Sequence, residues 1–547
     1  MANSPRILIS GTGHTGEKRR RIKEVEPTHV MEVLLLLRDQ GAAPLSEAFT
    51  LGSTSVKERK HLSHEELLRN SRASDGDIDV IKAFAIEYDL AVLRVDSAAR
   101  TIVLAGKCQD VGRAFDIKLH HYQIGKEAFH SHDEDASIPP ELKSIVLNIF
   151  GLDNRTALRR PGFSAGSGPP PPPVDDNTKP PAAFANLYSF PSLATGKGQC
   201  IAIVEFDGGF DRKVLDRYLR RNGVKEPDIV VREVGKGRNN PINQPDEINA
   251  DTEVYMDIEI VASLAPDAKI VVYFGENTEQ GWIETVSAAI HDTDNQPSAL
   301  SISWGMAEGD WKNNWGPHAM QGIENLFLKA AHLGITVCCS SGDFGVYETQ
   351  IGEDPATRQP FTVPYPASSP LVLACGGTLT ETSKNRISRE AVWNQSDTVP
   401  LASAGGVSRY HELPPYQANA GVPRQHKTGH KGRGLPDVAA NASTDSGYLI
   451  CSDNTEMSMG GTSAAAPLWA SLIACLNESL GSDIGYLTPL LYTGGAQEDG
   501  ALQDVVDGDN KIRMISDPQG YEAQAGWDAC TGLGTPRGDK LLNWLNG

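Results

Sequence analysis

The stretch Gly460-Gly461-Thr462-Ser463-Ala464-Ala465-Ala466-Pro467 sets a serine hydroxyl at the mouth of a helix-prone alanine run. Helix starts leave N–H groups without partners, and these steady negative charge. Such a place suits a hydroxyl that attacks a carbonyl and leaves an oxyanion beside it. The serine needs a proton acceptor. His291, His318, His332, His411, His426 and His430 lie in the later part of the chain, and none stands in a short Gly- and His-rich motif. Carboxylates are available instead. In Asp251-Thr252-Glu253-Val254-Tyr255-Met256-Asp257-Ile258-Glu259, Glu253 and Asp257 are spaced i, i+4 and share one helix face. A carboxylate oriented by a second, protonated carboxyl can act as a general base. Asp343, in Ser340-Ser341-Gly342-Asp343-Phe344-Gly345, supplies a third acid. A neutral Asp343 can donate a hydrogen bond to an oxyanion, whereas an ionised one repels it. With ordinary carboxyl pKa values of about 4, that chemistry belongs to low pH.

These groups need a scaffold. Residues 201–206, 269–274, 299–304 and 336–339 read as strands, and 212–221, 252–264, 281–290 and 322–333 as helices. Such alternation predicts a parallel sheet covered on both faces, an α/β doubly wound architecture. Asp343 then falls past the carboxyl end of a strand, where open α/β sheets hold ligands. Upstream, strand-like 30–38, 91–95 and 100–105 alternate with helix-like 64–71 and 77–88, which predicts a separate α+β domain. Between the two, Ser164-Ala165-Gly166-Ser167-Gly168 runs into Pro169–Pro173, a flexible then stiff segment open to cleavage.

The ordered set Glu253-x-x-x-Asp257, Ser301-Ile302-Ser303-Trp304-Gly305, Gly342-Asp343, Gly461-Thr462-Ser463-Ala464 and Gly526-Trp527-Asp528 resembles the sedolisins. These are acid-acting serine-carboxyl peptidases, and the likeness is to their kumamolisin branch. The resemblance implies a subtilisin-like catalytic fold, with Ser463 as nucleophile and Glu253 as general base. Asp257 would orient Glu253, and Asp343 would donate to the oxyanion together with the Ser463 N–H. Glu205 and Trp304 would extend the carboxyl chain. It further implies one Ca2+ per chain, held by the side chains of Asp504 and Asp528 and the carbonyls of Val505, Gln524 and Gly526. The domains it implies are a propeptide over 1–160, a linker with the processing region over 161–185, with the cut between about Arg160 and Pro181, and a peptidase over 186–547. The expected activity is an endopeptidase that processes itself in acid. Partners would be protein or peptide substrates and its own propeptide in cis. The protein would be an extracellular monomer. The competing readings are a subtilisin-type serine protease and a catalytically silent peptide-binding relative.

Composition narrows the function further. The net charge is −20, yet residues 1–160 carry 23 Lys and Arg against 23 Asp and Glu, so the excess acid lies in the later part. An acidic domain speaks against nucleic-acid binding, and no apolar run approaches the length of a membrane span. Residues 1–21 lack the apolar core of a Sec signal. The eight cysteines form no C-x-x-C pair and read as buried small hydrophobes. His120, His121, His130 and His132 precede Asp133-Glu134-Asp135 and read first as a solvated loop; the competing reading sets them against the acidic domain, where acid would charge them and reset that contact.

Overall fold

The computed structural model describes all residues except 1–5, 11, 14–18, 40, 42–43, 126, 157–169, 309–316 and 349–359. The Gly/Ser part of the expected linker and the arginine at 160 therefore lie outside the described residues.

The N-terminal portion contains β1 (Val30–Leu37), α1 (Leu45–Ser53), α2 (His64–Ser71), α3 (Asp75–Glu87), β2 (Ala91–Asp96), β3 (Thr101–Lys107), β4 (His120–Ile124), β5 (Glu127–Ser131) and β6 (Val146–Phe150). Strands β2-β3-β1-β6 form an antiparallel sheet in that order. The near-continuous apolar run of β1 has a reason. Side chains alternate across a strand, and both faces of this one are covered. Val33, Leu35 and Leu37 enter the core of the N-terminal portion. Leu34 and Leu36 enter a core shared with the later portion.

The later portion begins with β7 (Cys200–Glu205), α4 (Arg212–Arg221), β8 (Asp228–Glu233), α5 (Ala250–Leu264), β9 (Lys269–Phe274) and α6 (Glu279–Ile290). It continues with β10 (Ala299–Ile302), α7 (Pro317–Leu333), β11 (Thr336–Ser340), β12 (Leu373–Ser383), β13 (Arg386–Val392) and β14 (Val438–Asn441). A hairpin of β15 (Tyr448–Ser452) and β16 (Thr455–Met459) then leads to α8 (Thr462–Leu480). The sheet runs β8-β9-β7-β10-β11-β12-β13, with β14 beside β12. All its pairings are parallel except β12 with β13. Helices α4, α5 and α8 bury one face of it. Helices α6 and α7 bury the other, and the N-terminal sheet packs outside them through Leu34, Leu36, Val103 and Phe150.

The α/β expectation holds, and α3, α5, α6 and α7 start earlier than their apolar periodicity suggests. Asn249 and Thr252 form a reciprocal capping box that starts α5 at Ala250, and Thr278 caps α6 at Glu279. Helix α1 is absent from the sequence reading. Its Gly52 is a weak helix residue that allows close contact, because a Cβ there would lie 2.7 Å from the Pro489 ring. All eight cysteines are free and buried. Among the described residues no helix is long and apolar enough to cross a membrane.

Candidate active site

Three chain segments converge at the N-terminus of α8. Gly461 precedes the helix at φ +92°, and a Cβ there would stand 2.8 Å from Asp343 Oδ2, so only glycine fits. The Thr462 N–H and hydroxyl both donate to Asp343 Oδ1, at 2.8 and 2.7 Å. The Thr462 hydroxyl oxygen accepts from the Gly342 N–H at 3.0 Å. Two donors on Oδ1 make it the accepting oxygen of Asp343. A proton held by this carboxyl therefore belongs on Oδ2, beside the start of α8.

Glu253 and Asp257 lie on α5, which is buried along nearly its whole length. Asp257 is fully buried, and Ser303 donates to its Oδ2 at 2.8 Å. Its Oδ1 is buried without a hydrogen-bond donor among the described residues. Burial first, then the neighbouring Glu205 and Glu253 carboxyls, push the Asp257 pKa well above the usual carboxyl range. Such surroundings favour the protonated form of the Asp257 carboxyl. Glu205 ends β7, fully buried, and its Oε2 accepts from Trp304 Nε1 at 2.8 Å. The Ser303 hydroxyl also lies 3.2 Å from the Ser463 carbonyl oxygen, linking the carboxyl chain to the serine's own backbone. Ser463 Oγ is buried and makes no hydrogen bond to described residues. Catalytic hydrogen bonds commonly tighten only once substrate is bound.

No described imidazole competes for that hydroxyl. His291 and His332 lie under the N-terminal portion, His411 stacks on Tyr365, His426 stacks on Phe361, and His430 lies 3.9 Å from Glu412. Sequence reasoning placed Ser303 and Thr462 inside motifs but gave neither a role. The polar partner next to Trp304 and the hydroxyl before Ser463 were the available signals.

A second cluster gathers Asp504, Gln524, Gly526 and Asp528. Asp504 Oδ2 accepts from the Gly526 N–H at 3.0 Å, while its Oδ1 is buried without a donor. Asp528 Oδ2 accepts from the Gln524 N–H at 3.2 Å, and burial raises the Asp528 pKa to about 6. Among the described residues no group of three or more His, Cys, Asp or Glu side chains gathers as a metal site.

Comparison with known proteins decides the family. Residues 17–155 match the pro-kumamolisin activation domain, and residues 234–490 match the subtilase family. Kumamolisin from a Bacillus species is 38% identical over 89% of this chain and 86% of its own length. The chain belongs to the sedolisin family. Sedolisin from a Pseudomonas species is 26% identical over 93% of the chain and 86% of its own length. The solved structure of Pseudomonas sedolisin, complexed with two molecules of pseudo-iodotyrostatin, superposes with a TM-score of 0.59. It shows 27% identity over 68% of this chain and 98% of that one. The chain is therefore a serine-carboxyl peptidase with a subtilisin-like fold, preceded by an activation domain.

The four histidines near residue 130 of this sedolisin divide between two settings. His120 Nδ1 pairs with the Lys118 carbonyl and His132 Nδ1 with the Glu134 carbonyl, both inside the activation domain. His121 and His130 do face the peptidase, across a cavity shared with His29, Lys236, Glu276 and Gln280. The sequence reading missed the histidines of the larger seam around α7. His61 packs against Gly334 and Gly485, and the His332 carbonyl accepts from the Leu62 N–H at 2.7 Å. His64 Nε2 lies 3.2 Å from the Ile290 carbonyl oxygen. Buried Lys329 of α7 donates to the Ala98 carbonyl at 3.3 Å and lies 4.0 Å from Asp39. Burial lowers the His61 pKa to about 4, with Arg59 and His332 adding repulsion. It lowers that of His291 to about 3, with Lys329, His64 and Arg100 nearby.

Proposed function

We propose that this sedolisin is the precursor of an acid-acting endopeptidase. In this reading Glu253 takes the Ser463 proton as Ser463 attacks the scissile carbonyl, and protonated Asp343 with the Ser463 N–H steadies the oxyanion. Glu253 then returns the proton to the leaving amine, and water repeats the cycle on the acyl-enzyme. Protonated Asp257 orients Glu253, and Glu205 with Trp304 continues the chain. The supporting observation is Asp257, a fully buried carboxyl whose proton affinity is raised by burial and by two further carboxyls. The activation domain, residues 1–160 in this reading, is joined by a linker over 161–185 to the peptidase of 186–547. It acts in cis on a secreted monomer.

The seam histidines support release in acid. The pKa of His61 is lowered in the docked state, so the undocked state binds more protons between about pH 6.5 and the docked value near 4. Docking is fully stable above the free pKa and loses stability as the pH falls through that window. Precursor held at about pH 4 is expected to shorten and gain activity, while precursor at about pH 7.5 stays full length. Exchanging both His61 and His130 for Gln is expected to move the activation midpoint to lower pH. Processing that proceeds equally well at neutral pH would refute the reading.

The residues of the second cluster fit a hard cation. Calcium prefers several oxygen ligands, and the Asp504 Oδ1 atom and the burial-raised Asp528 carboxyl call for a positive partner. In our reading the side chains of Asp504 and Asp528 and the carbonyls of Val505, Gln524 and Gly526 hold one Ca2+. When bound, the ion would neutralise these acids and tie the 504–505 and 524–528 segments together. Chelation is expected to lower the thermal midpoint of the parent and to leave the Asp504→Asn variant unchanged.

A further inference from the structure

One buried acid outside the catalytic chain has an unusual partner. Asp453 sits at the turn of the β15–β16 hairpin, at φ +51°. It is 9% exposed, and both carboxylate oxygens are buried without a hydrogen-bond donor at bonding geometry. Its side chain meets that of Asp251, in the first turn of α5. Asp251 is richly supplied with donors. Its Oδ1 accepts from the Gly209 N–H at 2.8 Å, and its Oδ2 from the Ile242 and Asn243 N–H groups at 2.6 and 2.9 Å. Burial raises the Asp251 pKa and its three amides work against that rise, whereas both Asp453 oxygens are buried without such amides, so of the two Asp251 is the better supplied to carry the charge.

Two ionised carboxyls do not share such a site. We propose that Asp453 is a positioning residue whose carboxyl donates its proton to Asp251, tying the hairpin to the first turn of the helix that carries Glu253 and Asp257. The groups around the pair agree. On α5, Tyr255 lies close to Asp453, and its hydroxyl oxygen accepts from the Asp211 N–H at 2.8 Å. From the loop before α5, the Gln244 amide favours charge on Asp453. From α4, Arg217 reaches the hairpin turn but donates to Asn454 Oδ1 at 2.8 Å, and Arg221 pairs with Glu456. Asp211 caps α4 through the Lys213 N–H at 2.7 Å. Burial and the Asp251 charge push the Asp453 pKa to about 6.

The pair gathers the segments around the catalytic helix. Gly209 lies four residues past Glu205, and Ile242 and Asn243 lie in the loop that leads into α5. A Cβ on Gly208 would stand 2.8 Å from both the Asp251 N and Oδ1, so this approach is close. The native Asp453 pKa is raised above its free value, so the folded chain binds more protons between about pH 4 and 6. The tie is complete in acid and is lost as the pH rises through about 6.

The inference rests on the catalytic roles proposed above for Glu253 and Asp257, and its test separates the two. The thermal midpoint of the full-length Ser463→Ala chain is read from pH 3.5 to 7.5, alone and with Asp453→Asn or Asp453→Ala. Asparagine keeps the shape and donates to Asp251 at every pH. The Asp453→Asn midpoint is expected to equal the parent's near pH 4 and to exceed it by about 2 °C at pH 7. The Asp453→Ala midpoint is expected to fall below the parent's at pH 4. Parallel curves for parent and Asp453→Asn would overturn the proton-sharing pair. So would added calcium that raises the parent's midpoint at pH 7 but not that of Asp453→Asn, since a cation would then occupy the place of the proton. In the processed active enzyme, Asp453→Asn is expected to move the alkaline limb of kcat upward by about half a pH unit with KM unchanged. An unmoved limb would overturn the positioning role. These stability readings do not require cleavage, so they stand even if the roles assigned to Glu253 and Asp257 fail.

Discussion

Replacement of Ser463 with alanine is expected to give a chain that remains full length at about pH 4 and digests no casein. The side chain is buried at the start of α8, beside a helix N-terminus whose Thr462 N–H and hydroxyl already hold Asp343. Alanine removes one oxygen from this place and leaves the packing intact. Loss of the nucleophile in a serine peptidase costs about a million-fold in kcat. Because the precursor is read as cutting itself, the same change should stop processing. Gel analysis of the acid-treated variant checks both outcomes together. A variant that still shortens and still digests casein would place the nucleophile elsewhere.

The second large effect is expected at Glu253. Glutamine preserves its shape but cannot take the Ser463 proton. General-base loss typically costs about 10² to 10⁴-fold, and the upper end is expected here because no described imidazole stands ready to replace it. KM should change little, since in the proposed mechanism Glu253 acts on Ser463 and not on the bound peptide. Steady-state kinetics at about pH 4 checks the split. A Glu253→Gln enzyme of near-normal kcat would mean that another group takes the proton.

Much of this arrangement is legible in the chain. The i, i+4 spacing of Glu253 and Asp257 places them on one helix face, whereas the close approach of Gly461 to Asp343 is displayed only by the folded chain. The alternation of apolar runs such as 201–206 and 269–274 reveals the parallel sheet. The unread parts are contacts between distant segments. Nothing in the order of residues says that the Ser303 hydroxyl touches both Asp257 and the Ser463 backbone. Nothing local pairs Asp251 with Asp453, or sets His61 against Gly334 and Gly485. The four histidines near residue 130 look like one cluster in sequence. Alternation along β4 and β5 turns them in different directions, so only His121 and His130 of the four line the cavity that faces the peptidase.

The proposed calcium ligands were legible only through resemblance. Two carboxylates separated by a long segment, with backbone carbonyls between them, leave no spacing pattern. The physical sign is the buried Oδ1 of Asp504 without a donor, which only the folded chain displays.

The central idea is that carboxyl groups, some of them protonated, run this hydrolysis. The most direct measurement is kcat/KM of the processed protein from about pH 2 to 9. A bell with its maximum in acid, falling toward neutrality as the carboxyls lose their protons, is the predicted result. A rise through about pH 6.5 to a plateau at or above neutrality, as an imidazole base gives, would contradict it.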